Sequence, residues 1–359
     1  MKILHVTRSI AHDEGGPARS VQGLVAAQNK IGVESWLLPM RKGPRPWVEG
    51  IAHFSDSEPF ENVASRIKPD VVHIHGLWNL EEHRCIVICR RSRIPYVISP
   101  RGMLDPWSLS VKKWKKRLGM FLYQRNDLKH ASALHATAEI EARHIKDQGF
   151  RQPIILSPNG VDIPVEMPER CGFDGCRKRT AVFLSRLHPG KGLLTLADAW
   201  SRVRPEGWRM LVVGPDTYGH QKDVVERLTQ CGILKDWEFL SAVDDNEKWR
   251  IYRSSDLLVH PSVSENFGLT IAEGLVSELP VIATKGTPWA ELETRQCGWW
   301  IDGDVESLSE ALKTAISLSD EERSEMGKRG RALVNEKYIW ESAASKIIDG
   351  YKEVLNARG

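Results

Sequence analysis

Two basic and two acidic side chains in the second half of the chain have the types and spacing for chemistry on a phosphorylated substrate. Arg186 and Lys191 stand five positions apart in Arg-Leu-His-Pro-Gly-Lys-Gly. Around such a glycine turn a guanidinium and an ammonium can converge on one diphosphate, the first by paired hydrogen bonds and the second as a compact charge. A solvated basic loop is the plainer reading. Glu265 and Glu273, with seven residues between them, lie in the stretch HPSVSENFGLTIAEGL that runs from 260 to 275. The apolar run 256–260 predicts a buried parallel strand, residues 261–266 supply the turn that ends it, and a helix is expected to begin near Phe267. The first turn of a helix leaves N–H groups without intrahelical partners and carries the positive end of the macrodipole, so this start offers an anion site. Gly268 lets a phosphate or sugar approach that backbone.

The full string, with a strand before Glu265, Phe267-Gly268-Leu269 inside it and Leu279-Pro280-Val281-Ile282-Ala283 after Glu273, resembles the E-x7-E signature of the retaining glycosyltransferases of family 4. That resemblance implies an α/β GT-B fold: two doubly wound Rossmann-like domains facing a deep cleft, with a C-terminal helix crossing back to the N-terminal domain. It implies that Glu265 binds sugar hydroxyls and supports an oxocarbenium-like state, and that Glu273 holds the nucleotide ribose. Asn266, Phe267, Gly268 and Leu269 would meet the donor, the loop at Gly214 would line the nucleotide pocket, and main-chain groups near Ala242 would read the base. Arg186 and Lys191 occupy the family's diphosphate-binding positions.

The elements that must position these residues follow from the apolar runs. Residues 2–7 read as a first strand, followed by a loop ending in Gly15-Gly16-Pro17 and a helix over 18–30. A strand, glycine loop and helix give a phosphate-approach geometry, and in the resembling family this loop faces the donor diphosphate. Strands over 70–75 and 96–99 end at His75 and in Ser-Pro-Arg101-Gly, placing both side chains where doubly wound sheets bind ligands. Both are read as acceptor-side residues; His75 is equally readable as a structural histidine, and Arg101 stands where many family members carry a histidine near the sugar. The string Pro158-Asn159-Gly160-Val161-Asp162 resembles the interdomain crossing. The expected domains are therefore 1–164 for the acceptor, 165–337 for the nucleotide sugar, and a helix over 338–359 packing back on the first.

Composition narrows the partners. Residues 1–164 carry 24 Lys and Arg against 16 Asp and Glu, a net +8, whereas 165–359 carry 26 against 31, a net −5. The basic half should meet something anionic, a membrane surface or a phosphorylated acceptor. No nucleic-acid recognition motif is present. The segment from Trp107 to Lys129 sets Lys112, Lys113, Lys115, Lys116 and Arg117 around Trp114, with Leu118, Met120, Phe121, Leu122 and Tyr123 following. It reads as an interfacial helix at an anionic membrane, with a solvated helix face as the alternative. The six cysteines include no C-x-x-C pair, and no apolar run approaches a membrane span. A cytoplasmic protein, peripheral on the inner face of the membrane, is expected.

The function expected is a retaining, metal-independent glycosyltransferase. It would move sugar from a UDP- or GDP-sugar to a saccharide acceptor, lipid-linked, in bacterial surface-polysaccharide synthesis. No cofactor or metal is expected: fixed cations and helix N–H groups can neutralise the leaving diphosphate, and Asp302-Gly303-Asp304, although it matches a metal-binding Asp-x-Asp, follows a Gly-Trp-Trp strand and reads as a turn. The alternatives are a GT-B sugar-nucleotide epimerase or phosphorylase, or a non-catalytic nucleotide-sugar-binding protein.

Overall fold

The computed structural model describes residues 1–11, 16–41, 52–54, 58–170 and 178–357. They fall into two compact units, Met1–Gly160 with Tyr338–Gly359, and Val161–Lys337. The boundary lies a few residues before the 164/165 junction expected from sequence.

In unit 1 the strands are β1 (Lys2–Thr7), β2 (Glu34–Pro39), β3 (Ala52–His53), β4 (Val71–His75), β5 (Tyr96–Ser99), β6 (Ala133–Ala136) and β7 (Ile154–Leu156). They form one parallel sheet in the order β3-β2-β1-β4-β5-β6-β7. Both faces are covered, which is why β1, β4, β5 and β6 are buried almost without interruption rather than alternating. The helix Trp340–Asn356 belongs to this unit. Ala344, Ile347, Tyr351 and Val354 recur at helical spacing and pack against Leu24 and Ala27 of the Gly16–Lys30 helix and Ile155 of β7. Trp340 fills a slot floored by Gly23 and Gly160, where a Cβ on either would overlap the indole.

Unit 2 repeats the plan with β8 (Arg179–Leu184), β9 (Trp208–Val213), β10 (Trp237–Leu240), β11 (Leu257–His260), β12 (Val281–Thr284) and β13 (Gly298–Ile301). They run parallel in the order β10-β9-β8-β11-β12-β13. One face is closed by a cluster containing Phe183, Trp200, Trp208 and Trp237, and on the other Gly274 brings a helix onto Leu258 of β11. In both sheets the chain order reverses beside the first strand, between β1 and β4 and between β8 and β11. Ligands of doubly wound proteins bind outside the strand ends at such switch points.

Candidate active site

The switch point of unit 2 holds Lys191 and Glu265. Strands β8 and β11 are neighbours, so the loops leaving their C-terminal ends adjoin. Those loops are stitched by main-chain bonds: Val263 N–H donates to Gly190 O at 2.9 Å, and the Ser262 hydroxyl donates to the same carbonyl at 3.2 Å. Gly192, at φ 75°, lies against the Pro261 carbonyl where any Cβ would collide. This contact holds the 3₁₀ turn Pro189–Lys191 against the loop after β11, and the Lys191 ammonium pairs with Glu265 Oε1. His260, the last residue of β11 and 1 % exposed, donates from Nε2 to the same oxygen at 2.8 Å. Glu265 Oε2 makes no hydrogen bond among the described residues. Burial works against the Glu265 charge, but Lys191 and the His260 bond outweigh it and hold the carboxyl well below the usual glutamate range.

The helix expected near Phe267 begins at Leu269 and ends at Val276. Gly268 caps it at φ 81°, a left-handed conformation that turns Phe267 inward: its ring is 4 % exposed and 5.5 Å from Trp289, whose indole N–H donates to the Phe267 carbonyl at 2.5 Å. The Phe267 side chain is thus part of the core. The main-chain N–H groups of Leu269 and Thr270 find no protein acceptor among the described residues, because the first helical bonds are those of Ile271 and Ala272 to Gly268 O. Glu273 is not an unattached carboxylate. Its Oε1 accepts from the Lys248 ammonium at 2.7 Å and its Oε2 from the Tyr252 hydroxyl at 3.0 Å, both on the helix Asp245–Ser254.

Arg186 is exposed just after β8 and makes no hydrogen bond or ion pair among the described residues. It lies near His188, whose pKa is lowered by burial and then by the charges of Arg186 and Lys191. Gly214, at the end of β9, adopts φ 147° and leaves no room for a Cβ beside the Ser185 carbonyl, so the loops after β8 and β9 touch through backbone. Ala242 is exposed in the loop after β10, and Asn266 is half-buried before the helix. Asp302 pairs with Lys285 at 2.9 Å, while Asp304 caps the helix Val305–Ser317 by accepting from Ser307 N–H at 2.8 Å. Both carboxylates therefore serve the turn.

In unit 1, Gly16 opens the helix that follows the first loop, and Gly15 lies outside the described residues. His75 ends β4 buried among His5, His73 and His135. Its ring bonds have a fixed direction. Arg101 can only donate, so His75 Nδ1 accepts from it at 2.9 Å; His75 Nε2–H then donates to His5 Nδ1 at 2.9 Å, and His5 Nε2–H to Gln28 at 2.8 Å. Burial lowers the pKa of all four histidines, that of His5 to about 4 and that of His135 to about 3, so they are neutral at pH 7.

The segment beginning at Trp107 is not one helix. It comprises Pro106–Ser110, Lys113–Gly119, a π turn Met120–Gln124, and Arg125–Lys129, with Lys112 at φ 52° between the first two. Trp114, Leu118, Phe121 and Leu122 share one face and are 78 %, 59 %, 84 % and 64 % exposed. Lys112, Lys113, Lys115 and Arg117 are also exposed, but the Lys116 ammonium turns back to the Ser108 carbonyl at 2.5 Å. Among the described residues no helix is long and apolar enough to cross a membrane.

Two Rossmann-like units of this topology, with an acid–base cluster at the second switch point, define the GT-B class. Two family models match the chain, Glycosyl transferases group 1 over residues 176–333 and Glycosyl transferase 4-like domain over residues 6–160. The chain belongs to this family of glycosyltransferases. It is 28 % identical over 243 residues to a D-inositol 3-phosphate glycosyltransferase of Segniliparus rotundus, covering 61 % of this chain and 52 % of that one. It is also 28 % identical over 213 residues to a GDP-mannose-dependent phosphatidylinositol monomannoside mannosyltransferase of Mycobacterium tuberculosis, 54 % of each. The chain thus spans about half the length of the curated relatives it matches. Among solved structures, Anabaena HepE in complex with UDP and glucose superposes with a TM-score of 0.77 at 18 % identity, covering 98 % of this chain and 100 % of that one. The sucrose-phosphate synthase of Thermosynechococcus elongatus gives 0.77 at 15 %, covering 99 % and 100 %. At these identities the likeness is one of fold.

Proposed function

We propose that this protein is a retaining, metal-independent glycosyltransferase that uses a UDP- or GDP-sugar. The observation that carries the reading is the junction of Lys191, His260 and Glu265 at the unit 2 switch point, with Arg186 and the N–H groups of Leu269 and Thr270 free to take an anion. Arg186, Lys191 and the helix start receive the diphosphate, and Glu265 Oε2 takes a sugar hydroxyl. The carboxylate stays charged and lies ready to support an oxocarbenium-like centre. Glu273, steadied by Lys248 and Tyr252, holds the ribose. The bond from the anomeric carbon to the leaving phosphate breaks as the acceptor oxygen bonds to the same face, and the acceptor proton passes to that phosphate.

Unit 1 takes the acceptor, a saccharide carried on a lipid, and the exposed Trp114–Phe121 face with its four exposed cations sets the protein on an anionic membrane. A relative that acts on phosphatidylinositol monomannoside and an O-antigen chain mannosyltransferase of Escherichia coli, 25 % identical over 175 residues, support a role in surface-saccharide synthesis. The test is incubation with UDP- and GDP-sugars and a bacterial lipid extract, with the anomeric configuration of any product read by NMR. A glycolipid retaining the donor's configuration supports the reading; free epimer, inverted product or binding without turnover counts against it.

A further inference from the structure

Among the described residues, Arg101 is a buried cation that no carboxylate pairs with. It is 8 % exposed, adopts a left-handed conformation at φ 55°, and no carboxylate lies within ion-pairing distance of it among the described residues. Its three engaged partners are all neutral: Ser20 Oγ at 3.4 Å and Asn159 Oδ1 at 2.8 Å from Nη1, and His75 Nδ1 at 2.9 Å from Nη2. Nε is buried with no partner. The neighbouring histidines supply no negative charge, since His75, His5, His73 and His135 are neutral. Glu141, the acid that acts on it from a distance, has its oxygens engaged by the N–H groups of Gly102 and Thr137, and by the Thr137 hydroxyl. Burial lowers the Arg101 pKa only to about 10, so the group remains charged at pH 7.

Leaving a guanidinium out of water and unpaired is costly, and a fold keeps such a group where a ligand completes it. The place fits a ligand. Arg101 follows β5 at the C-terminal edge of the unit 1 sheet, and Ser20 begins the second turn of the Gly16–Lys30 helix, so the guanidinium lies beside the positive end of a 15-residue helix.

We infer that Arg101, with Ser20 and Asn159, anchors a phosphoryl group of a substrate in unit 1. This deepens the reading above and rests on it only in taking that group to be a substrate's. A nucleoside diphosphate and a phosphorylated acceptor would both bring the same chemistry.

The test is thermal unfolding of the full chain with inorganic phosphate, UDP, glycerol 1-phosphate and, as the uncharged control, glycerol. Wild type should be stabilised by at least one phosphate probe and not by glycerol. In Arg101→Gln that response should need about tenfold or more probe, the size of one lost charge-assisted hydrogen bond. Loss confined to UDP assigns the group to the donor, and loss with glycerol 1-phosphate to the acceptor. Ser20→Asp keeps Arg101 and supplies an internal anion. It should raise the unfolding temperature without ligand and erase the response, which gives a reading even if Arg101→Gln fails to fold. Lys191→Ala in the same assay reports separately on the donor site of unit 2. No phosphate-dependent shift in wild type, or equal shifts in wild type and the variants, would overturn the inference.

Discussion

Lys191 and Glu265, separated by 74 positions in the chain, are brought into an ion pair that uses only one oxygen of the carboxylate. His260 shares that oxygen, and Oε2 is left for a ligand. Glu265→Gln should preserve the backbone of the loop while removing the negative charge proposed to face the reacting sugar. Turnover is expected to fall on the order of a hundredfold, as for other fixed groups that act on developing charge. UDP or GDP binding should change little. Steady-state kinetics beside nucleotide titration separates the two, and an unchanged kcat would remove Glu265 from the reaction.

Activity should survive excess EDTA. The groups proposed to balance the leaving diphosphate are Arg186, Lys191 and the N–H groups of Leu269 and Thr270. Turnover abolished by chelation and restored by Mg²⁺ or Mn²⁺ contradicts that assignment.

The proposed membrane contact can be tested without touching the core. Replacing Lys112, Lys113, Lys115 and Arg117 by Gln removes four exposed charges, each worth about 1 kcal/mol at an anionic surface. Lys116 is left in place because it bonds Ser108. Sedimentation with anionic vesicles should fall by orders of magnitude, and Trp114→Ser with Phe121→Ser should weaken it further, while donor binding holds. Equal sedimentation of wild type and the fourfold variant would end the membrane account.

Glu82 gives a prediction about stability and pH. It is 3 % exposed at the start of the helix Leu80–Arg91, with Oε2 bonded to Asn79 at 3.1 Å and Oε1 buried without a partner. Burial, opposed by the Asn79 bond and the charge of Arg8, pushes its pKa up to about 8 from the ordinary 4.5. Below pH 4.5 folded and unfolded chains both hold the proton. As pH rises toward 8 the unfolded chain releases it first, so the folded state loses stability across that window. Glu82→Gln should therefore gain on wild type between pH 4.5 and 8, reaching on the order of 4 kcal/mol. Denaturant unfolding at both ends of the window reads this, and a constant difference would refute it.

Most of the architecture is visible in the sequence because buried parallel strands are written as continuous apolar runs ending in glycine or polar turns, as in β1, β4 and β11. The run of β2, which begins at Glu34 and ends at Pro39, lies outside the strands read that way. The helix start moved from Phe267 to Leu269 because Gly268 takes a left-handed conformation, which residue type permits but does not dictate. At the candidate site, motif spacing singles out Arg186, Lys191, Glu265 and Glu273, and of these the structure brings Lys191 and Glu265 into contact. His260 carried the same signal as His75, a histidine ending a strand, and its role follows only once Lys191 is seen to share Glu265. Lys248 and Tyr252 have no local signal: they reach Glu273 from a helix 25 and 21 positions away, a contact set by packing.

The unit 2 switch point is proposed to bind a nucleotide-diphosphate sugar. Calorimetric titration of UDP-glucose and GDP-mannose into wild type, Arg186→Ala and Lys191→Ala tests it directly. Saturable binding of one donor to wild type is expected, weakened in each variant by about 1.5–3 kcal/mol, the scale of a lost charge-assisted contact to phosphate. Failure of both donors to bind wild type, or equal affinity in all three folded proteins, would contradict it.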